Sequence, residues 1–171
     1  MKITKRTKTK DILPLLTQDT LKELLEKVPA MPLKKPVLAM TVGEFGEIVE
    51  DEDAFVTKLL KQRKALKAFG LLKQYKQEME ALAKFFKLYE TKKTQEETAA
   101  AKGIVFPNIA QRMLIDCVKW FNLNNTEEAE KIKVSEWLTM WQDEAANMLY
   151  QRQYMNIMDA KNKAKRKWNL K

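Results

Sequence analysis

Chemistry has few residues to work with in this chain. Histidine is absent and Cys117 is the only cysteine. Ser135 is the only serine. A nucleophile needs a base beside it, so a charge-relay triad and most acyl-transfer chemistry are excluded. One thiol closes no intramolecular disulfide and, without imidazoles, makes no ordinary zinc site. Cys117 lies in an apolar stripe and reads as a small buried hydrophobe. Gly43 and Gly46 lack the flanking strand and lysine of a phosphate-binding loop. The run Glu50-Asp-Glu-Asp53 resembles a metal cluster in composition, but no second ligand group follows at the required spacing. It reads instead as the acidic start of a helix, capping free N–H groups and complementing the dipole. The carboxylate pairs Glu96/Glu97 and Glu127/Glu128 fall in hydrophilic turns, where no burial raises a pKa. The expectation is a non-enzyme with no catalytic residue, no metal and no cofactor.

Charge is the second chemical feature. The net charge of +9 comes from 32 Lys and Arg against 23 Asp and Glu. Lys2, Lys5, Arg6, Lys8 and Lys10 crowd the first ten residues, and Lys161, Lys163, Lys165, Arg166, Lys167 and Lys171 the last eleven, with no acid in either. The stretch between them is close to neutral, so the basicity belongs to the two ends. Trp168 closes the C-terminal run with a ring able to stack on a base. These termini are candidate contacts for nucleic acid or an acidic partner, salt-dependent and poor in sequence information. Solvated tails are the plainer reading of the same charges.

The elements that would position these groups are helices. With 171 residues, 45% hydrophobic, only 4 Gly and 5 Pro, the chain suits one domain and lacks the turn vocabulary of a sandwich or barrel. No apolar run reaches the length of a membrane span, and Asp11 and Pro14 interrupt any signal-peptide core, so no membrane partner is expected. A short helix is expected from about Gln18 to Val28, capped by Thr17 or Thr20. Pro29, Pro32 and Pro36 then forbid helix. That apolar, proline-rich stretch reads as an extended arm lying against its own domain or a neighbour. Thr41 and Glu44 have capping-box spacing and open a helix to about Val49.

From Asp53 to Tyr89 the pattern predicts one long helix, with a kink at Gly70. Its second half carries Leu72, Tyr75, Met79, Leu82, Phe86 and Tyr89 at alternating spacings of three and four. That is a coiled-coil seam and the candidate protein interface. Lys92 to Lys102 is polar, with Gly103 as a stop, and Ile104 to Pro107 is an apolar connection. A helix follows from Asn108 to Phe121, then a turn at Asn124–Thr126 and a short helix to Ile132. A second long helix starts near Ser135, with Trp137, Trp141, Met148, Met155 and Met158 recurring along it. A Trp and Met stripe reads as core, with an adaptable partner-binding surface as the other reading. Val42–Ile48 weakly echoes Val134–Met140, as shared helix-entry chemistry.

The fold expected is all-α: an irregular helical bundle with two long helices and an extended proline-rich N-terminal arm. It divides into arm (1–37), helical body (38–160) and basic tail (161–171). The segments Thr41-Val-Gly-Glu-Phe45, the Lys/Leu/Phe-rich long helix, Gly103-Ile-Val-Phe-Pro107, Ala129-Glu-Lys-Ile132 and Ser135-Glu-Trp137-Leu138 together resemble small all-helical proteins of tailed-bacteriophage structural gene blocks. The resemblance spans Thr41 to about Asp159. It implies a virion component or assembly factor, such as a tail assembly chaperone, adaptor or internal packing protein, and carries over no catalytic residue. The functional expectation is a protein–protein assembly component with other protein subunits as partners, in a homo- or hetero-oligomer, located in the host-cell cytoplasm or in a virion. Accessory nucleic-acid binding through the two basic termini is the alternative.

Overall fold

The computed structural model describes residues 3–90, 102, 104 and 108–168, with side chains of the last helix as far as 163. The described residues contain no strand and eight α-helices. They are α1 (Thr9–Ile12), α2 (Gln18–Lys27), α3 (Val42–Glu50), α4 (Glu52–Leu60), α5 (Ala65–Lys87), α6 (Ile109–Trp120), α7 (Thr126–Ala129) and α8 (Val134–Trp168). The described residues are all-α. The expected elements over Lys92–Lys102 and Gly103–Pro107 lie almost wholly outside the described residues.

Short polar side chains set most helix starts by satisfying free N–H groups of the first turn. Thr41 accepts from the Glu44 N–H at 3.3 Å while the Glu44 carboxylate accepts from the Thr41 N–H at 2.8 Å, a full capping box for α3. Lys35 pairs with the same carboxylate, and these hydrogen bonds hold Glu44 below the usual carboxylate range. Asp51 accepts from the Ala54 N–H at 2.8 Å, so the acidic run does cap α4. Asn108 and Asn125 cap α6 and α7 in the same way. Thr17 caps α2, with Thr20 completing its box.

The long helix expected from Asp53 to Tyr89 is two helices. The break is at Lys61–Lys64, and α5 runs through Gly70. Nothing in the local sequence forbids helix at Lys61-Gln-Arg-Lys64; the cause is long-range. The N-terminal segment crosses here, with Thr9 donating to the Arg63 carbonyl at 3.1 Å and the Ala65 N–H donating to the Thr7 carbonyl at 3.0 Å. The Thr9 hydroxyl donates to the Gln62 carbonyl as well. Three cations at the end of α4 also suit its negative pole, and would not suit the start of a further helix.

The proline-containing stretch lies along α5. The Met31 N–H donates to the Gly70 carbonyl at 3.0 Å, the Lys73 ammonium to the Val28 carbonyl at 2.8 Å, and the Val37 N–H to the Glu78 carboxylate at 2.6 Å. Ile12, Leu24, Val28, Leu33 and Val37, all from the first 37 residues, share one buried cluster with Val42, Phe45, Phe69, Met113 and Trp137. The core therefore runs continuously from the first segment into the helical body. On its far side α3 crosses α6 closely, with Gly46 facing Ala110.

Candidate functional site

The six seam residues turn inward. Leu72, Tyr75 and Leu82 are buried, Met79 and Phe86 are partly buried against the chain's own core, and Tyr89 is half-buried beside Phe85 and Trp141. Tyr75 packs its ring on Phe55 at 5.0 Å and donates to Glu52 at 3.2 Å. Burial, and then the Glu52 carboxylate, push its phenol well above the ordinary range. Phe86 meets Trp141 edge-on at 4.8 Å and Tyr89 meets the same indole at 5.4 Å. From Leu72 to Leu82 the seam is thus filled by α4, the residue 28–40 segment and the start of α8, which corrects its reading as a face for a partner over that length. Phe86 and Tyr89 at its end also line an open groove. Spacing reveals that a helix face is covered, and leaves open whose residues cover it.

A groove opens where this aromatic cluster reaches the surface. It holds about 500 Å³ between the end of α5, α6 and α8, with Phe86, Tyr89, Trp137, Trp141, Met148 and Leu149 among its lining. Asp116 adds a buried carboxylate, raised in pKa by desolvation and only partly offset by Arg112, whose Nε lies 3.0 Å away. The indole N–H of Trp137 is buried without an acceptor. Cys117, on the same helix as Asp116, is buried and its thiol is pushed up to about 12, chiefly by desolvation, so at neutral pH it carries no thiolate.

From this groove α8 continues to Trp168, and much of its outer part is exposed among the described residues. The helix is 35 residues long, about 52 Å at ~1.5 Å per residue. Trp137 and Trp141 pack on the core, but Met148 is 65%, Tyr150 68%, Tyr154 51%, Met155 57% and Ile157 54% exposed. The Trp and Met stripe is therefore core at Trp137 and Trp141 and exposed at Met148 and Met155, with Met158 half-buried.

A second site is basic. Lys8, Thr9, Lys10, Lys61, Gln62 and Arg63 line a cleft of about 410 Å³ where the N-terminal segment crosses the α4–α5 junction. Lys8 and Lys64 face each other as an isolated antiparallel bridge. The expected N-terminal contacts Lys5, Arg6, Lys8 and Lys10 are exposed, and Lys2 lies outside the described residues. The structure brings Lys8 and Lys10 to Lys61, Arg63 and Lys64, which sequence reasoning missed by absorbing those three into a helix. An acid-free basic run flanked by helical pattern was the available signal. Lys161 and Lys163 are exposed on α8; the side chains of Lys165, Arg166, Lys167 and Trp168 lie outside the described residues. No described helix is long and apolar enough to cross a membrane. Compared with protein-family models, curated proteins and solved structures, the chain matches none, so its function has to be argued from these two surfaces.

Proposed function

We propose that this chain is a non-catalytic protein–protein assembly component, using the outer part of α8 and the groove at its base to hold other subunits. The observation that carries this reading is the outer part of α8, where five large hydrophobic side chains are more than half exposed. A solvated helix of that composition has no reason to extend so far from its core, and burial against another protein supplies one. Methionines suit such a surface because the thioether chain adapts to its partner. The resemblance of Thr41–Phe45, Ala129–Ile132 and Ser135–Leu138 to tailed-phage structural and assembly proteins supports a phage-like particle as the setting. The reading is tested with a photo-crosslinking benzoylphenylalanine in place of Met148, irradiated in cells that express the full chain. A covalent adduct to protein, either this chain or another, is the expected result. Irradiation that yields no protein adduct overturns the reading.

The basic cleft favours a second role, accessory binding of nucleic acid. Five cations from two distant segments, Lys8, Lys10, Lys61, Arg63 and Lys64, gather around one crossing. Such a surface binds phosphates without reading bases. Reversing Lys61 and Arg63 to Glu should weaken binding of a single-stranded oligonucleotide about tenfold at low salt. It should also flatten the logarithmic salt dependence by about two phosphate contacts, as seen by fluorescence anisotropy. An unchanged slope removes the cleft from any such role.

A further inference from the structure

On the side of α8 facing away from the core lie Asp143, Asn147, Tyr150, Tyr154, Ile157 and Lys161, spaced alternately four and three residues apart. All six are exposed, and the Tyr150 and Tyr154 rings stack at 6.4 Å. This is a second seam, roughly opposite the Trp137 and Trp141 face that packs on the core. Its alternation is that of a two-helix coiled coil. Acid stands at one end and base at the other.

We propose that residues 143–161 of α8 pair antiparallel with the same stretch of a second copy of this chain, about a two-fold axis level with residue 152. In that register every seam position meets another. Asp143 faces Lys161, Asn147 faces Ile157, and Tyr150 faces Tyr154, each pair occurring twice by symmetry. A two-fold interface demands this kind of self-complementary patch. The charges choose the direction. Parallel pairing sets Asp143 against Asp143 and Lys161 against Lys161, and a slip by one heptad takes Asp143 off Lys161. Asn147 faces Ile157 in this register and costs some stability there. The four tyrosines near the axis supply large, amphipathic contact area. This inference deepens the assembly reading and rests on it.

The test uses the full chain. Sedimentation equilibrium at about 100 µM and low salt should give a dimer, twice 20.0 kDa. Tyr154→Glu should make it monomeric with an unchanged helical spectrum and melting temperature, because the ring is exposed in the single chain. Asp143→Lys should raise the dimer Kd about tenfold, and adding Lys161→Asp should restore it, since the swap returns both opposed pairs. For direction, chains carrying Asp143→Cys and Lys161→Cys are mixed and oxidised. A mixed disulfide is expected, with none from either variant alone, because like positions stand about 27 Å apart in the antiparallel pair. A chain that stays monomeric, or a dimer indifferent to Tyr154→Glu, overturns the proposal. If position 148 still crosslinks a different protein, the dimer fails and the assembly reading stands.

Discussion

Leu82→Asp is expected to abolish cooperative folding. Leu82 is buried in the last third of α5, and the groove beside it is walled by Pro36, Val37, Leu38, Phe85 and Leu138. Removing the isobutyl group forfeits its transfer energy and leaves a cavity, a loss of about 2–5 kcal/mol. The new carboxylate then needs solvent or a cation, and its neighbour one turn earlier is Glu78. That acid already accepts from the Val37 N–H at 2.6 Å and from Gln74 at 2.8 Å. A second negative charge would repel it and loosen the segment that it anchors. The combined cost reaches much of the ~5–15 kcal/mol that stabilises a typical domain. The measurement is thermal and urea denaturation followed by circular dichroism, with insoluble or non-cooperative material expected. Leu82→Met, close in volume, should lose less than about 1.5 kcal/mol. If Leu82→Asp instead melts as the parent does and only loses partners, the seam is an interface after all. Its burial within the single chain would then have no energetic consequence.

How much of this was legible follows from the range of the interactions involved. Caps were readable because a threonine, asparagine or aspartate acts within three residues of itself, so Thr41, Asp51 and Asn108 mark their helices in the sequence alone. The break at Lys61–Lys64 was not. Lysine, glutamine and arginine are all good helix formers, and what interrupts them is a strand-like crossing from residues more than fifty positions away. The basic cleft was hidden for the same reason, since its two halves are remote in sequence. The Trp and Met stripe of α8 was seen but not where it changes from core to surface. One helical period runs through both parts, and only the end of the neighbouring helices decides the boundary at about Ala145. The outer seam is not legible in the sequence because two tyrosines, an isoleucine and flanking charges look like ordinary solvent-facing residues until the opposite face is known to be occupied.

Gly70→Ala is the second large effect, and its sign reverses what helix propensity alone predicts. In an ordinary helical site the change gains up to ~1 kcal/mol. Here α5 passes against the proline-containing segment at backbone distance. A Cβ on Gly70 would stand 2.7 Å from Met31 Cγ and 2.9 Å from the Pro29 carbonyl oxygen. Methionine can swing aside, but the carbonyl oxygen is part of the main chain and has little freedom. The Met31 N–H is bonded to the Gly70 carbonyl at 3.0 Å, and just upstream the Val28 carbonyl is held by Lys73 at 2.8 Å. Val28 and Leu33 on either side are buried in the core. Relieving the clash therefore means shifting the whole segment and its side chains, at about 1–3 kcal/mol or more, which outweighs the propensity gain. A lower melting temperature is expected, by about 2–4 °C for each kcal/mol lost, and Gly70→Val should fall further. Gly46→Ala provides the contrast. Its Cβ would lie 3.4 Å from the Ala110 methyl, an ordinary contact, so that variant should melt within a few degrees of the parent. A stabilised Gly70→Ala protein would show that the segment yields easily. It would then be a loosely held arm, and the core would belong to the helices alone.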